Sequence, residues 1–546
     1  MSRKSAGEKY DERRCELLTA ERRLSSSNSE GIFETLVAFP REYSKAMGHL
    51  VFHRLYKLLS TWPDTICARA FLPRKDEFNW RKRQGKPVEA LDTGKSIKDS
   101  DLLVFLLPSE TDWFPALEML HLSDITIQNI QREHKWPILL ATGLSVTANP
   151  IPMSRFFDAF IIGETEPTLG PILDIIKSLG SRRRPKSEIL TGLSRLPGLY
   201  VPAVHGIGAK TNIMRQWASS ESIGVLTDTV SAHTITPNTY ILAISRGCPF
   251  NCRFCMAGYL MLPYREQKAE DLENKIKQIP AGSSLVYAAC SPSAYDELDV
   301  IYKTAENAGI KARISSHMKE SPELSEELPA ILNSDTLILS PETGSESLRR
   351  IFGKTKANEF YFKKAKTVSS DVEKIQINFQ VGIPFEEDID RKANVSFVKK
   401  VISISKLPVS VRVDQFIPRP WTAFQWSPMM NLRESREYII ELKKELTDLG
   451  VSNIIGFDPR EAHIQALLIR GDEKIGIALE RKLDGVGWNT AFEYAGIDMN
   501  DVFLASDPEV KLTWQFLNMG FGYTRLAREY NMAVSLNDER NADKEK

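Results

Sequence analysis

Six cysteines occur in 546 residues, and three of them, Cys248, Cys252 and Cys255, form C-x3-C-x2-C in the stretch SRGCPFNCRFCMAGY. Three thiolates on one tight loop are costly to hold together unless a metal neutralises them. A structural zinc site asks for four closed ligands, usually two C-x2–4-C pairs or Cys with His. No fourth Cys or His lies close in sequence, the nearest further cysteine being Cys290. A redox C-x-x-C made of Cys252 and Cys255 leaves Cys248 unexplained. Three cysteines on one loop suit an iron–sulfur cluster that keeps one iron open for a substrate or cofactor.

Other residues with chemical potential stand at the ends of apolar runs, and each also has a plain structural reading. Ser315, Ser316 and His317 end one run, as polar contacts or as simple strand termination. Glu342 follows another, where a carboxylate can meet a cofactor, and Ser345 can do the same or cap the next helix. Gly382 and Pro384 let backbone approach a ligand or make a turn. Phe254 packs beside a cluster or within its loop. Arg265 faces a carboxylate or begins a surface helix, with the second reading preferred. Cys290 reads as a small buried apolar residue, and Cys15 and Cys67 as structural. No residue identifies itself as the catalytic acid or base.

The elements that must position these residues form two series. TLVAF (35–39), TICARAF (65–71), DLLVFLL (101–107), PILLAT (137–142) and DAFIIG (158–163) are uninterrupted apolar strands, as in sheets covered on both faces. With helices expected at 45–59, 115–122 and 168–179, they predict a Rossmann-like α/β domain over 32–180. Ser109 and Gly143 stand at strand ends, on the edge where such sheets bind ligands, with Trp113 and Phe114 nearby. Residues 181–235, opening with SRRRPKSE, read as a linker. A second series follows at 239–245, 284–289, 311–316, 336–340, 374–382 and 409–416. Six strand–helix units over 236–430 predict a partial (βα)6 barrel with its site at the C-terminal ends of the strands. Residues 431–535 read as mostly helical, with amphipathic spacing at 432–449. Residues 1–31 read as a frayed or disordered lead-in and 536–546 as an unfolded tail.

Composition excludes several classes. With 71 Lys+Arg against 71 Asp+Glu, nothing global draws the chain to extended nucleic acid or an anionic membrane. Apolar stretches such as 102–107 are too short to span a bilayer. The N-terminus has no apolar core of a secretory signal, and six scattered cysteines are no disulfide framework, so a cytoplasmic location is expected.

The cysteine spacing, with Phe254 before the last Cys and a strand before the first, resembles the radical S-adenosylmethionine (SAM) superfamily. LSPETGSESLRRIFGK (339–354) and FQVGIPFEED (379–388) resemble its fourth- and fifth-strand motifs. FIPRPWTAFQW (416–426) and SVTANPIPMSRFFDAFIIGETEPTL (145–169) are similar to the subgroup with an N-terminal cobalamin-binding-type domain. The resemblance spans roughly residues 35–530. It implies a [4Fe–4S] cluster on Cys248, Cys252 and Cys255, and SAM as cofactor. SAM contacts are then expected among Phe254, Ser315, Glu342, Ser345 and Gly382, and cobalamin contacts at Ser109 and Gly143. The chain departs from the pattern three times, first in carrying only Gly143, in TGL (142–144), where paired glycines usually line the nucleotide tail. It lacks the D-x-H-x-x-G motif whose His ligates cobalt, and YAACSPS (287–293) replaces the usual G-G-E.

The expected activity is generation of a 5′-deoxyadenosyl radical, with cobalamin-dependent C-methylation the leading reaction and a flavodoxin- or ferredoxin-like protein the electron donor. A cobalamin-independent oxidation or rearrangement and a zinc-stabilised binding protein are the alternatives. The substrate is not named by the sequence.

Overall fold

The computed structural model describes residues 6–25, 31–132, 136–179, 185–207, 212–314, 336–368, 372–456 and 458–544. In the first half, the apolar runs form one sheet. Its strands lie in the order Thr65–Phe71, Phe33–Phe39, Leu102–Leu106, Ile138–Thr142, Ala159–Ile161 and Leu199–Tyr200. All pair in parallel except the last, which is antiparallel. Leu102–Leu106 and Ile138–Thr142 are buried at every position, because helices cover both faces. Phe52, Leu55, Leu59, Ile172 and Ile176 close one face; Trp113, Ala116, Leu117 and Leu120 close the other.

Several boundaries differ from expectation. The helix expected over 45–59 is two pieces, Tyr43–Ala46 and Leu50–Ser60. Within the expected lead-in, the described residues 6–25 are ordered: helix Ala6–Thr19 leads into strand Glu21–Arg23, which pairs antiparallel with Thr229–Ser231. Buried Arg69 holds it down, binding both oxygens of Glu21 at 2.8 and 2.9 Å while also gripping Asp92. The first sheet runs past 180 into the expected linker, since Leu199–Tyr200 is its last strand. Helix Lys186–Leu193 leads there, its buried Lys186 ion-paired to Asp158 at 2.6 Å. Arg182 to Arg184 lie outside the described residues.

The second series makes two parallel sheets. One contains Thr239–Ala243, Ser284–Ala288 and Lys311–Ile314; the other Thr336–Glu342, Lys374–Val381, Val409–Gln415 and Asn453–Gly456. The last strand of the second sheet was not expected from sequence. Burial alternates along Lys374–Val381 and Val409–Gln415. Ile375, Ile377, Phe379 and Val381 pack against helices, while Gln376, Asn378 and Gln380 point the other way. The same holds for Val409, Val411 and Val413 against Ser410, Arg412 and Asp414. Such a period of two means that one face of the sheet meets helices and the other a polar interior. The architecture is therefore α/β, with a doubly wound sheet, an open parallel barrel and a helical C-terminal region.

That region contains Leu432–Asp448, Pro459–Arg470, Lys474–Leu483, Trp488–Tyr494 and Tyr523–Lys544. The expected tail is thus helical to Lys544, anchored by Arg540 on buried Asp390 at 3.1 Å. Among the described residues no helix is long and apolar enough to cross a membrane.

Candidate active site at the three-cysteine loop

The loop with Cys248, Cys252 and Cys255 leaves the first barrel strand and returns through helix Met256–Leu260, whose N-cap is Cys255. Arg253 fixes its shape. Its guanidinium donates to the carbonyls of Arg350, Ile351 and Glu529 at 3.0–3.1 Å and pairs with the Glu529 carboxylate at 3.2 Å. Its backbone N–H bonds Phe352, whose ring stacks on Phe254 with centroids 4.4 Å apart. The C-terminal end of helix Glu346–Ile351 is thereby capped by the cysteine loop, so the G-S-E-S-L-R-R stretch and the cysteines form one unit.

Burial raises the Cys248 and Cys255 thiols. Against it, backbone N–H groups favour the thiolates: Phe250 for Cys248, Gly258 and Ala257 for Cys255, with Lys354 adding positive charge to both. Cys290, at the end of the second barrel strand, is pushed up to about 12, first by burial and then by the charges of Cys255 and Cys248. Its sulfur lies 3.7 Å from that of Met261. Cys290 is therefore part of the sulfur-rich mouth and only partly buried.

Opposite the loop stands the polar barrel interior. Glu342 ends its strand with φ +65°, a conformation that a non-glycine residue holds only when its surroundings impose it. Its carboxylate receives Lys354 at 2.8 Å and Gln380 at 2.9 Å. Asn378 donates to Ser340 at 3.0 Å, extending the polar row. Between row and loop lies a cavity of about 360 Å³, lined among others by Phe254, Cys255, Gln380, Asp414, Phe416 and Arg419. One carboxylate oxygen of Asp414 and the amide oxygen of Gln415 are buried without a hydrogen-bond partner.

Of the other expected contacts, Ser345 accepts from Leu348 N–H and caps helix Glu346–Ile351, so its hydroxyl serves the helix. Gly382 sits in a left-handed turn against Met430. Ser315 lies outside the described residues, as do Ser316 and His317. Arg265 is no surface helix start: it is buried and bonded to Glu164 at 2.7 Å. Sequence reading missed Arg253, Lys354 and Gln380, although the G-K pair closing the 339–354 motif and the alternation of 374–381 both pointed there.

The ligand edge of the first sheet is occupied by the chain itself. A Cβ on Gly143 (φ +127°) would lie 2.3 Å from the Leu107 carbonyl oxygen. Ser109 caps its own turn, taking part in a capping box with Asp112. Asp112 is in turn bidentate to Arg41 at 2.6 and 3.1 Å, across the point where strand order reverses. Buried Glu110 holds Arg419 at 3.0 Å. Trp421 donates to the Ala148 carbonyl, and the Asn149 amide donates to those of Ile469 and Gly471. Phe105, Leu107, Trp113, Trp426, Leu468 and Leu479 belong to one continuous core.

Residues 242–398 match the model of the Radical SAM superfamily, and residues 51–202 that of radical SAM proteins, N-terminal. This is a radical SAM chain. A radical SAM domain implies a [4Fe–4S] cluster, SAM and an external reductant. An uncharacterised protein of Methanocaldococcus jannaschii is 26% identical over 81% of this chain and 90% of its own length. Two solved structures are similar to parts of the chain at low identity. The cobalamin-dependent SAM radical enzyme OxsB is 16% identical, with a TM-score of 0.46 over 67% of this chain and 52% of its own. SuiB of Streptococcus suis bound to its precursor peptide SuiA is 14% identical, with a TM-score of 0.30 over 55% and 64%. The radical SAM chain thus spans about half the length of OxsB.

The cysteine loop fits the cluster. It offers three sulfurs, backbone N–H donors and a lysine on one side. Among the described residues no three His, Cys, Asp or Glu converge as the ligands of a single ion would. The ligand edge of the first sheet offers little to a cobalamin: Gly143 and Ser109 are used within the fold, and buried side chains of the continuous core pack at that edge.

Proposed function

We propose that the chain is a radical SAM enzyme that works without cobalamin, taking a hydrogen atom from a substrate held in the cavity beside Cys255, in an oxidation or rearrangement. Cys248, Cys252 and Cys255 would hold the cluster. A cluster held there would supply one-electron reduction of the SAM sulfonium, with a flavodoxin- or ferredoxin-like protein as the electron source, and so the 5′-deoxyadenosyl radical that would take the hydrogen atom.

The chain's own residues orient and shield this chemistry. Glu342, fixed by Lys354 and Gln380, presents a carboxylate at a strand end where hydroxyl groups of SAM can donate. Gly382 offers backbone to the adenine, and Phe254, set by its stack on Phe352, walls the cavity against water with Phe416. Asp414, on the interior face of its strand with one carboxylate oxygen left over, faces a donor-bearing ligand.

The single observation behind the cobalamin-free reading is the continuous core at the ligand edge of the first sheet. The resemblance of 145–169 and 416–426 to the cobalamin-type subgroup favours a second reading, cobalamin-dependent C-methylation. The test is anaerobic reconstitution of the full chain with iron, sulfide and hydroxocobalamin, then desalting and measurement of iron, cobalt and zinc. About four irons without cobalt are expected. About one cobalt per chain would replace the first reading by the second, and zinc without iron would point to a zinc-stabilised binding protein.

A further inference from the structure

The loop that carries the cysteines is closed at its base by a ribbon of two short strands, Ser245–Arg246 and Arg265–Glu266. Their register sets Arg246 directly opposite Arg265. Like charges facing each other across an antiparallel pair push the strands apart. The ribbon has only two residues on each side, so its own hydrogen bonds offer little to oppose that.

What opposes it comes from the N-terminal domain. One oxygen of Glu164 accepts from Arg265 at 2.7 Å, and the other accepts from both Arg246 and Arg265 at 3.0 Å. Glu166 adds a second carboxylate on Arg246 at 2.9 Å and ties it to Arg54 at 3.2 Å. Side-chain exposures of 12% for Glu164 and 8% for Arg265 keep solvent from screening the contact. Glu164 is aimed by its neighbour: Gly163 has φ +107°, and a Cβ there would lie 2.1 Å from the Gln216 carbonyl oxygen. The backbone therefore turns at a place where only glycine fits, and delivers the next side chain between the two arginines.

We propose that Glu164 is the clasp of the cysteine loop: a positioning residue of the N-terminal domain that closes the Arg246–Arg265 ribbon and so fixes where Cys248, Cys252 and Cys255 stand. It deepens the reading of that loop as a cluster site and rests on it only for the consequence to iron. The N-terminal domain thereby acquires a task that needs no cofactor of its own. Buried opposite charges that lose one partner leave the other uncompensated, so the effect of removing Glu164 should exceed that of a surface pair.

The test uses the full chain as wild type, E164Q and E164Q/R265Q. The metal-free proteins are alkylated anaerobically with iodoacetamide, and each cysteine is followed by peptide mass spectrometry. In E164Q the three loop cysteines should react about tenfold faster, equivalent to about 1.4 kcal/mol of lost closure. Cys67, buried in the first sheet, should keep its rate and so report that the domain remains folded. Removing the second arginine in E164Q/R265Q should slow the loop cysteines again, because the repulsion is gone. Iron loss from the reconstituted proteins to a chelator should follow the same order. Equal rates in wild type and E164Q, parallel acceleration of Cys67, or no relief in the double variant would each overturn the clasp. A wild type that binds no iron while the alkylation order holds would sink the cluster reading and leave the clasp standing.

Discussion

Raising the pH should loosen the turn that follows the fifth barrel strand, through Glu386. One oxygen of this carboxyl accepts from Gly382 N–H at 2.8 Å and the other from Tyr438 at 3.3 Å. Tyr438 in turn accepts from Asn394, which accepts from Gly344 N–H at 2.6 Å, so the network joins the turns after two barrel strands. Burial raises the carboxyl from 4.5 to about 7, against the pull of the Gly382 N–H and of Arg391. The folded state therefore holds a proton that the unfolded state has lost between these values. Stability from this group is complete below about 4.5 and falls as pH rises through about 7. At about 1.36 kcal/mol per pKa unit, the loss reaches about 3 kcal/mol at most. Hydrogen exchange of peptides around Gly382 and Tyr438, corrected for intrinsic rate, should show protection falling by about 10- to 100-fold between pH 5 and pH 8. In Glu386→Gln the corrected protection should be flat. Parallel pH profiles for the two proteins, or protection that rises with pH, would refute the reasoning.

Cys252→Ala should lower reconstituted iron to background without moving the far-ultraviolet circular dichroism; full iron retention would remove Cys252 from the ligand set. Arg253→Met leaves the carbonyls of Arg350 and Ile351 without their donor, at a cost of about 2–4 kcal/mol, and should speed iron loss to a chelator. Gly143→Ala places a methyl group against the Leu107 carbonyl at a positive φ; a melting temperature within a degree of wild type would contradict the packed ligand edge. Asn149→Ala removes two buried amide bonds to Ile469 and Gly471, and limited proteolysis should then cut first after helix Pro459–Arg470, an outcome that uncut wild-type-like resistance would deny.

The parts of the molecule that were legible in the sequence are those where burial writes a pattern. Leu102–Leu106 and Ile138–Thr142 are apolar throughout because both faces are covered, and the cysteine spacing declares a metal chemistry by itself. Helix Ala6–Thr19 buries no residue at all, so hydrophobic periodicity could not reveal it. Helix Tyr523–Lys544 buries only Leu526, Ala533 and Arg540 over 22 residues and owes its docking partly to an ion pair. The strand Asn453–Gly456 is short and mostly exposed at a sheet edge, which leaves almost no signal. Arg265 looked like a surface residue because its partner, Glu164, lies about a hundred positions away. Long-range charge pairing leaves no trace in a local window. The expectation of cobalamin contacts at Ser109 and Gly143 followed from where doubly wound sheets usually bind ligands; that the later segments 421–429 and 459–479 join the core of that sheet was visible only in three dimensions.

That core has a consequence for how the molecule is made. It joins Leu36 and Phe105, from the first sheet, to Trp426, Leu479 and Leu526 near the other end of the chain. On the ribosome the N-terminal sheet, one face covered by its own helix Trp113–Leu122, therefore emerges with the rest of that core missing and stays so until nearly the last helix has been synthesised. During that interval it must be shielded from aggregation by chaperones or by transient contacts of its own. The cysteine loop, emerging midway, meets its clasp residue early but its Glu529 anchor only at the end. Iron delivered during synthesis would find a half-built pocket, whereas iron delivered after release would find the finished one.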